Sequence, residues 1–191
     1  MKRQHGSVER IIASFLLILV AGCASDDVYF EPNMDFGSLR TVAVLPFTNL
    51  TGAEEAAERV RDTFMGMLLA TGALYVLPPG EVARGMSKLG RFSAEGPSSE
   101  QIKQLSTILD VEGVFTGVVR EYGSVRSGST SANVVSISLQ MIEVDSGMVV
   151  WSASSTKGGV GILDRLIGGG GKPMDTVTAR AINDLLDKLF E

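Results

Sequence analysis

The chain has 191 residues, 45% hydrophobic and 20% charged, with a single His, a single Cys and a formal net charge of −5. That length supports one domain of ordinary size. Both chemically versatile residues, His5 and Cys23, lie near the N-terminus, so a His-based triad, a Cys–His pair and a His or Cys zinc site are excluded from the rest of the chain. An acidic chain with no basic stripe is also a poor match for nucleic acid.

Residues 1–22 read as a secretory leader. Lys2, Arg3 and Arg10 give a positive start, and Ile11 to Val20 form an apolar run. The run spans roughly ten residues, where a membrane-crossing helix needs about twenty, and small residues follow it, as a cleavable signal requires. It ends Val20-Ala21-Gly22-Cys23, which resembles a bacterial lipobox. That resemblance implies cleavage between Gly22 and Cys23 and a covalent lipid on Cys23, with no other cofactor. Several acyl chains on one residue anchor stably, because each buried CH₂ contributes about 0.8 kcal/mol. Ala24 and Ser25, not Asp, follow the Cys; by resemblance to Gram-negative sorting signals this implies an outer-membrane, periplasm-facing address. Residues 26–36 are acidic, contain Pro32 and lack periodicity, so residues 23–38 read as lipidated Cys and tether, whose three aromatics can alternatively pack on the domain or on a neighbour.

Residues 39–191 read as one α/β domain. Thr41 to Phe47 is apolar on both faces, as in a central strand, and Pro46 marks its exit. Thr51 and Glu54 have capping-box spacing and open a helix through Ala70, with Val60, Phe64, Met67 and Leu68 on one face and Gly72 as its C-cap. Leu74 to Leu77 is a second strand. The next helix, Gly80 to Leu89, buries Val82, Met86 and Leu89. After a loop at 90–97, Ser98 and Gln101 form another capping box before a stripe of Ile102, Leu105, Ile108 and Leu109. Gly113 to Ser124 then reads as a strand and Arg126 to Ser131 as a turn. Val135, Ile137, Leu139 and Met141 alternate with polar residues, so that strand has one buried and one wet face. Asp145-Ser146-Gly147 turns the chain into Met148 to Thr156, with Val149, Trp151 and Ala153 on one face. A final helix, 175–190, buries Thr178, Ile182, Leu185, Leu186 and Leu189. The expectation is an α/β sandwich of about five strands, the last three an antiparallel meander, and about four helices.

The stretch 157–172 (KGGVGILDRLIGGGGK) invites a phosphate-loop reading, but Leu166 stands where the first loop Gly belongs and Pro173 where Ser or Thr would meet Mg²⁺. Nucleotide binding is therefore not expected. Ile162, Leu163, Leu166 and Ile167 form an apolar face between glycine flanks; this is a candidate contact for a partner or the membrane, or packing on the domain itself. Glu54 with Glu55 and Asp184 with Asp187 read as solvated helix faces rather than acid–base pairs. The eight Met residues read as core filler, not metal ligands. No catalytic residue and no metal site is assigned.

Val42 to Gly52 (VAVLPFTNLTG), Val111 to Gly123 (VEGVFTGVVREYG) and Ser138 to Trp151 (SLQMIEVDSGMVVW), followed by the Gly-rich segment and a last helix, resemble the CsgG-like, TolB-N-terminal-like and LpoB-like envelope proteins, including the neisserial lipoprotein antigens. The resemblance implies a non-enzymatic outer-membrane lipoprotein that works in envelope assembly, export or scaffolding, with a protein partner or its own copies. The alternative is an activator of a peptidoglycan synthase. Residues 126–133 are too short, and 157–173 too Gly-rich, for the spanning hairpins of a channel, whose strands need about 9–11 residues each. About 16 residues separate Cys23 from the first expected strand, a reach of about 55 Å.

Overall fold

The computed structural model describes residues 28–89, 97–127, 130–159 and 171–190. The Gly22–Cys23 cleavage and lipidation site, and the contact residues Ile162, Leu163, Leu166 and Ile167, lie outside them.

The described residues form a mixed seven-stranded sheet flanked by four helices. Its strands are β1 (Val28–Phe30), β2 (Thr41–Val44), β3 (Thr48–Asn49), β4 (Tyr75–Val76), β5 (Gly113–Ser127), β6 (Thr130–Glu143) and β7 (Val149–Gly158). The helices are α1 (Ala56–Thr71), α2 (Pro79–Leu89), α3 (Ser99–Leu109) and α4 (Met174–Phe190). Strand order is β1-β7-β6-β5-β2-β4, with β3 beside β5. β2 runs parallel to both β4 and β5, whereas β5, β6, β7 and β1 pair antiparallel in turn.

Two strands exceed the expected five, and both have a physical reason. Val28–Phe30, expected in the tether, pairs with Trp151–Ala153 and becomes an edge strand; alternating Val-Tyr-Phe supplies the β-propensity that the acidic surroundings obscure. β3 continues the lane of β2 after a break. Leu45 N–H still donates to the Phe115 carbonyl at 3.0 Å, Pro46 has no N–H to offer, and Thr48–Asn49 resume pairing with Val118–Val119.

β2 is buried from both sides, as its unbroken apolar run requires. Val42 and Val44 face a core built with α1, α4 and the inner faces of β5, β6 and β7, and Ala43 faces a second core built with α2 and α3. In the larger core Phe47, Phe64, Phe115 and Trp151 form a file of aromatic contacts, with successive ring centroids 6.1, 5.2 and 6.3 Å apart. Tilted and edge-on pairs of this kind add to plain area burial.

The helices follow their stripes, except that Ile108 of α3, expected inside, is 37% exposed, and one helix start is corrected. α3 has the expected capping box, Ser98 Oγ accepting from Gln101 N and Gln101 Oε1 accepting from Ser98 N. α4 buries all five expected residues together with Val177 and Ala181. α1, however, starts at Ala56 with no side-chain cap from Glu55. Asn49 is the reason: its Nδ2 donates to the Ala53 carbonyl at 2.7 Å and its Oδ1 accepts from Thr51 N at 2.9 Å. Thr51 is thereby spent in a local turn and cannot cap a helix. Gly72 closes α1 at φ +67, as expected of a C-cap.

The second correction concerns the segment read as a turn at 126–131. Strands β5 and β6 run through it and stay paired out to Ser127 opposite Thr130, so residues 128–129 alone connect them. Ser, Thr and Gly suggested a loop by composition, but Val125 opposite Ala132 and Tyr122 opposite Val135 keep the ladder in register. At the end of β7, Gly158 lies at φ +98, where a Cβ would sit 2.0 Å from the Asn133 carbonyl oxygen; a glycine alone lets the chain leave the sheet there.

Candidate partner-binding groove

An apolar concavity lies at the end of the sheet where β2 begins. It is a groove of about 420 Å³ whose walls include Phe30, Phe36, Leu39, Leu74, Leu189 and Phe190. Several separate stretches of chain converge to make it. Phe30 is the last residue of β1 and stacks edge-on with Phe36, centroids 5.6 Å apart. Phe36 opens a short 3₁₀ turn, Phe36–Ser38, whose preceding residue Asp35 accepts from Gly37 N at 3.0 Å. Leu189 and Phe190 end α4. Phe30 and Phe190 are 39% and 48% exposed, enough to offer aromatic surface to a partner while their neighbours remain in the core.

A charged cluster holds the last turns of α4 in place. Asp184 accepts a short hydrogen bond from Lys157 of β7 and lies 3.4 Å from Lys188 Nζ. Lys188 Nζ also donates to the Ser154 carbonyl at 3.0 Å, and the buried Trp151 Nε1 donates to the Lys188 carbonyl at 3.2 Å. The end of α4, and with it Phe190, is thereby fixed on β7. Burial alone raises the Asp184 carboxyl, but the hydrogen bond from Lys157 and the charge of Lys188 outweigh it and hold the group below its ordinary range. A depressed carboxylate stabilises the fold above its unfolded pKa and loses that contribution as pH falls through the folded value. We therefore expect Asp184→Asn to lower the urea midpoint at neutral pH by the equivalent of ~0–1 kcal/mol, as partly exposed ion pairs do. The gap to the parent should close on acidification below the ordinary aspartate range, which parallel urea titrations at neutral and acid pH would show.

Away from the groove, one face of the sheet is polar. Beyond α2 and α3, the face of β5–β7 carries Thr116, Ser136, Ser138, Ser152, Ser154 and Thr156, all except Thr156 half-buried. Ser136 shares a hydrogen bond with Thr156 at 2.8 Å, and Ser138 with Ser154 at 2.7 Å. Hydroxyls paired with one another have no base beside them to generate a nucleophile. Among the described residues no group of His, Cys, Asp and Glu could hold a metal ion, and no helix is long and apolar enough to cross a membrane.

Glu54 and Glu55 stand in the turn and cap before α1, and Asp184 lies in the ion cluster while Asp187 accepts from Asn183 at 2.9 Å. Neither acid pair forms a two-carboxylate site. The groove itself escaped sequence reading. Phe30 and Phe36 both sit in the stretch read as tether, where the alternative that its aromatics pack on the domain holds for Phe36, and Phe190 shows no motif.

No family model matches the chain, and no curated protein does. Solved structures do. A PelC dodecamer from Paraburkholderia phytofirmans is 19% identical over 85% of this chain and 94% of that one, with a TM-score of 0.54. Lipoprotein GNA1162 from Neisseria meningitidis is 16% identical over 79% of this chain and 98% of that one, with a TM-score of 0.57. The LpoB C-terminal domain from Salmonella enterica is a looser match, 13% identical over 61% of this chain and 81% of that one, with a TM-score of 0.46. At these identities the likeness is one of fold, and the neisserial resemblance read from the sequence holds at that level. The CsgG-like and TolB-like parts gain no support from these three.

Proposed function

We propose that this chain is an envelope lipoprotein whose α/β domain acts by binding a protein partner and carries out no catalysis of its own. The aromatic groove carries the reading. Exposed Phe30 and Phe190 flank a concavity large enough for one or two partner side chains, and aromatic residues dominate the energetics of such contacts. The lipobox at Val20–Cys23 supports an envelope address, and Ala24-Ser25 supports the outer membrane, periplasm-facing.

Two finer roles differ in the identity of the partner. A cell-wall synthase would make the chain a regulator; its own copies would make it a scaffold in assembly or export. Regulation fits at least as well. Permanent oligomer interfaces are broad and hydrophobic, whereas the exposed apolar residues outside the groove, among them Leu50, Leu69, Ile108 and Met148, lie on separate elements. The PelC fold relative, a dodecamer, supports self-association. Light scattering on the lipidated protein extracted in mild detergent separates these roles. A mass above the protomer's, with a synthase in the complex, supports regulation; a mass of many identical protomers supports the scaffold. A lone protomer that binds neither a purified synthase nor itself contradicts the proposal.

A further inference from the structure

We propose that the β5–β6 hairpin end of the sheet docks on the phospholipid surface, meeting it through Val125, Arg126 and Lys172. The proposal rests on the lipid-anchor reading of Cys23.

The direction and length of the chain ahead of β1 carry it. β1 pairs antiparallel with β7, so Val28 is entered from the end of the sheet where β7 finishes and the hairpin projects. Residues 24–27 alone separate Cys23 from Val28, and five Cα steps reach about 18 Å at most. The 55 Å reach expected from sequence shrinks accordingly, because β1 is part of the sheet.

The hairpin outreaches that tether. Val28 is level with Ala153, Leu139 and Gly117 across the ladder. From Gly117 the strand runs on to Ser127, about 33 Å at ~3.3 Å per residue. Held upright, the strands would carry the hairpin tip about 15 Å beyond the level that a taut tether allows, so the hairpin rests on the lipid surface with the strands tilted.

A short tether could also be satisfied by laying the β1 edge on the membrane. Charge favours the hairpin instead. The chain around β1 carries Asp26, Asp27, Glu31 and Asp35, which an anionic bilayer repels. Between residues 122 and 142 the only charged residue is the cation Arg126. Beside it Val125 is 42% exposed, and Lys172 is held against the hairpin by Asn133 Nδ2, which donates to its carbonyl at 2.9 Å. An apolar residue flanked by cations suits the interface between headgroups and acyl chains.

The test uses the full lipidated chain in vesicles of phosphatidylethanolamine and phosphatidylglycerol containing a lipid-borne spin-label quencher. Because the lipid occupies Cys23, Val125→Cys or Met148→Cys provides a single thiol for an environment-sensitive fluorophore. Met148 is 54% exposed beside the turn at the opposite end of the sheet, about 36 Å away along β6. Flotation with the vesicles reports the anchor, and quenching reports the orientation. Docking predicts several-fold stronger quenching at 125 than at 148. Floating protein with equal quenching at both sites, or stronger quenching at 148, overturns the docking surface while leaving the anchor intact. Protein that does not float overturns the anchor reading, and the docking surface with it.

Discussion

Trp151→Ala is expected to lower the unfolding free energy by about 3–5 kcal/mol, the range for deleting a large buried aromatic side chain. Trp151 has no exposed surface. It stands at the end of the aromatic file through Phe115 and Phe64, and its Nε1 donates to the Lys188 carbonyl. Removing it opens a cavity between β7 and α4 and releases the carbonyl from its partner. Trp151 also pairs with Phe30, a wall of the groove, across the β1–β7 ladder. Chemical denaturation should show the loss as a lower midpoint. Trp151→Phe, which keeps most of the apolar volume and loses the N–H, should cost distinctly less. Equal losses for the two variants would assign the effect to the hydrogen bond and not to packing.

Cys23→Ser is expected to move the protein from the membrane fraction to the soluble periplasmic fraction. Acyl chains dominate anchoring at about 0.8 kcal/mol per buried CH₂, and hydroxyl cannot replace thiol in lipid attachment. Because β1 begins at Val28, the thermal midpoint of the soluble variant should match that of the parent domain. Fractionation that leaves the variant with the membrane would contradict the lipid anchor.

Local patterns made much of the fold legible. Helical stripes placed α2, α3 and α4, because burial on one face leaves a 3.6-residue period whatever the rest of the molecule does. The Ser98–Gln101 capping box and the Asp145–Gly147 turn were readable for the same reason, since each rests on residues within one turn of chain. Errors came where distant partners decide. Val28–Phe30 becomes a strand because β7 offers an edge to it, a circumstance no property of residues 26–36 announces. Ser127 and Thr130 look like loop and are ladder. Thr51 looks like a cap until Asn49, held in β3 by β5, takes its hydrogen bonds. The groove was illegible on the same principle, since Phe30, Phe36 and Phe190 come together only after β1 has paired with β7 and α4 has packed on the sheet.

The central claim is that the domain works by offering Phe190 and its surroundings to a partner protein. A photo-crosslinking amino acid at position 190 tests it in intact cells, with the same residue at position 50 as reference, since Leu50 is 65% exposed and outside the groove. Irradiation should yield a discrete protein adduct from position 190 and none from position 50. No adduct from 190, or the same adducts from both positions, would contradict the assignment of the groove.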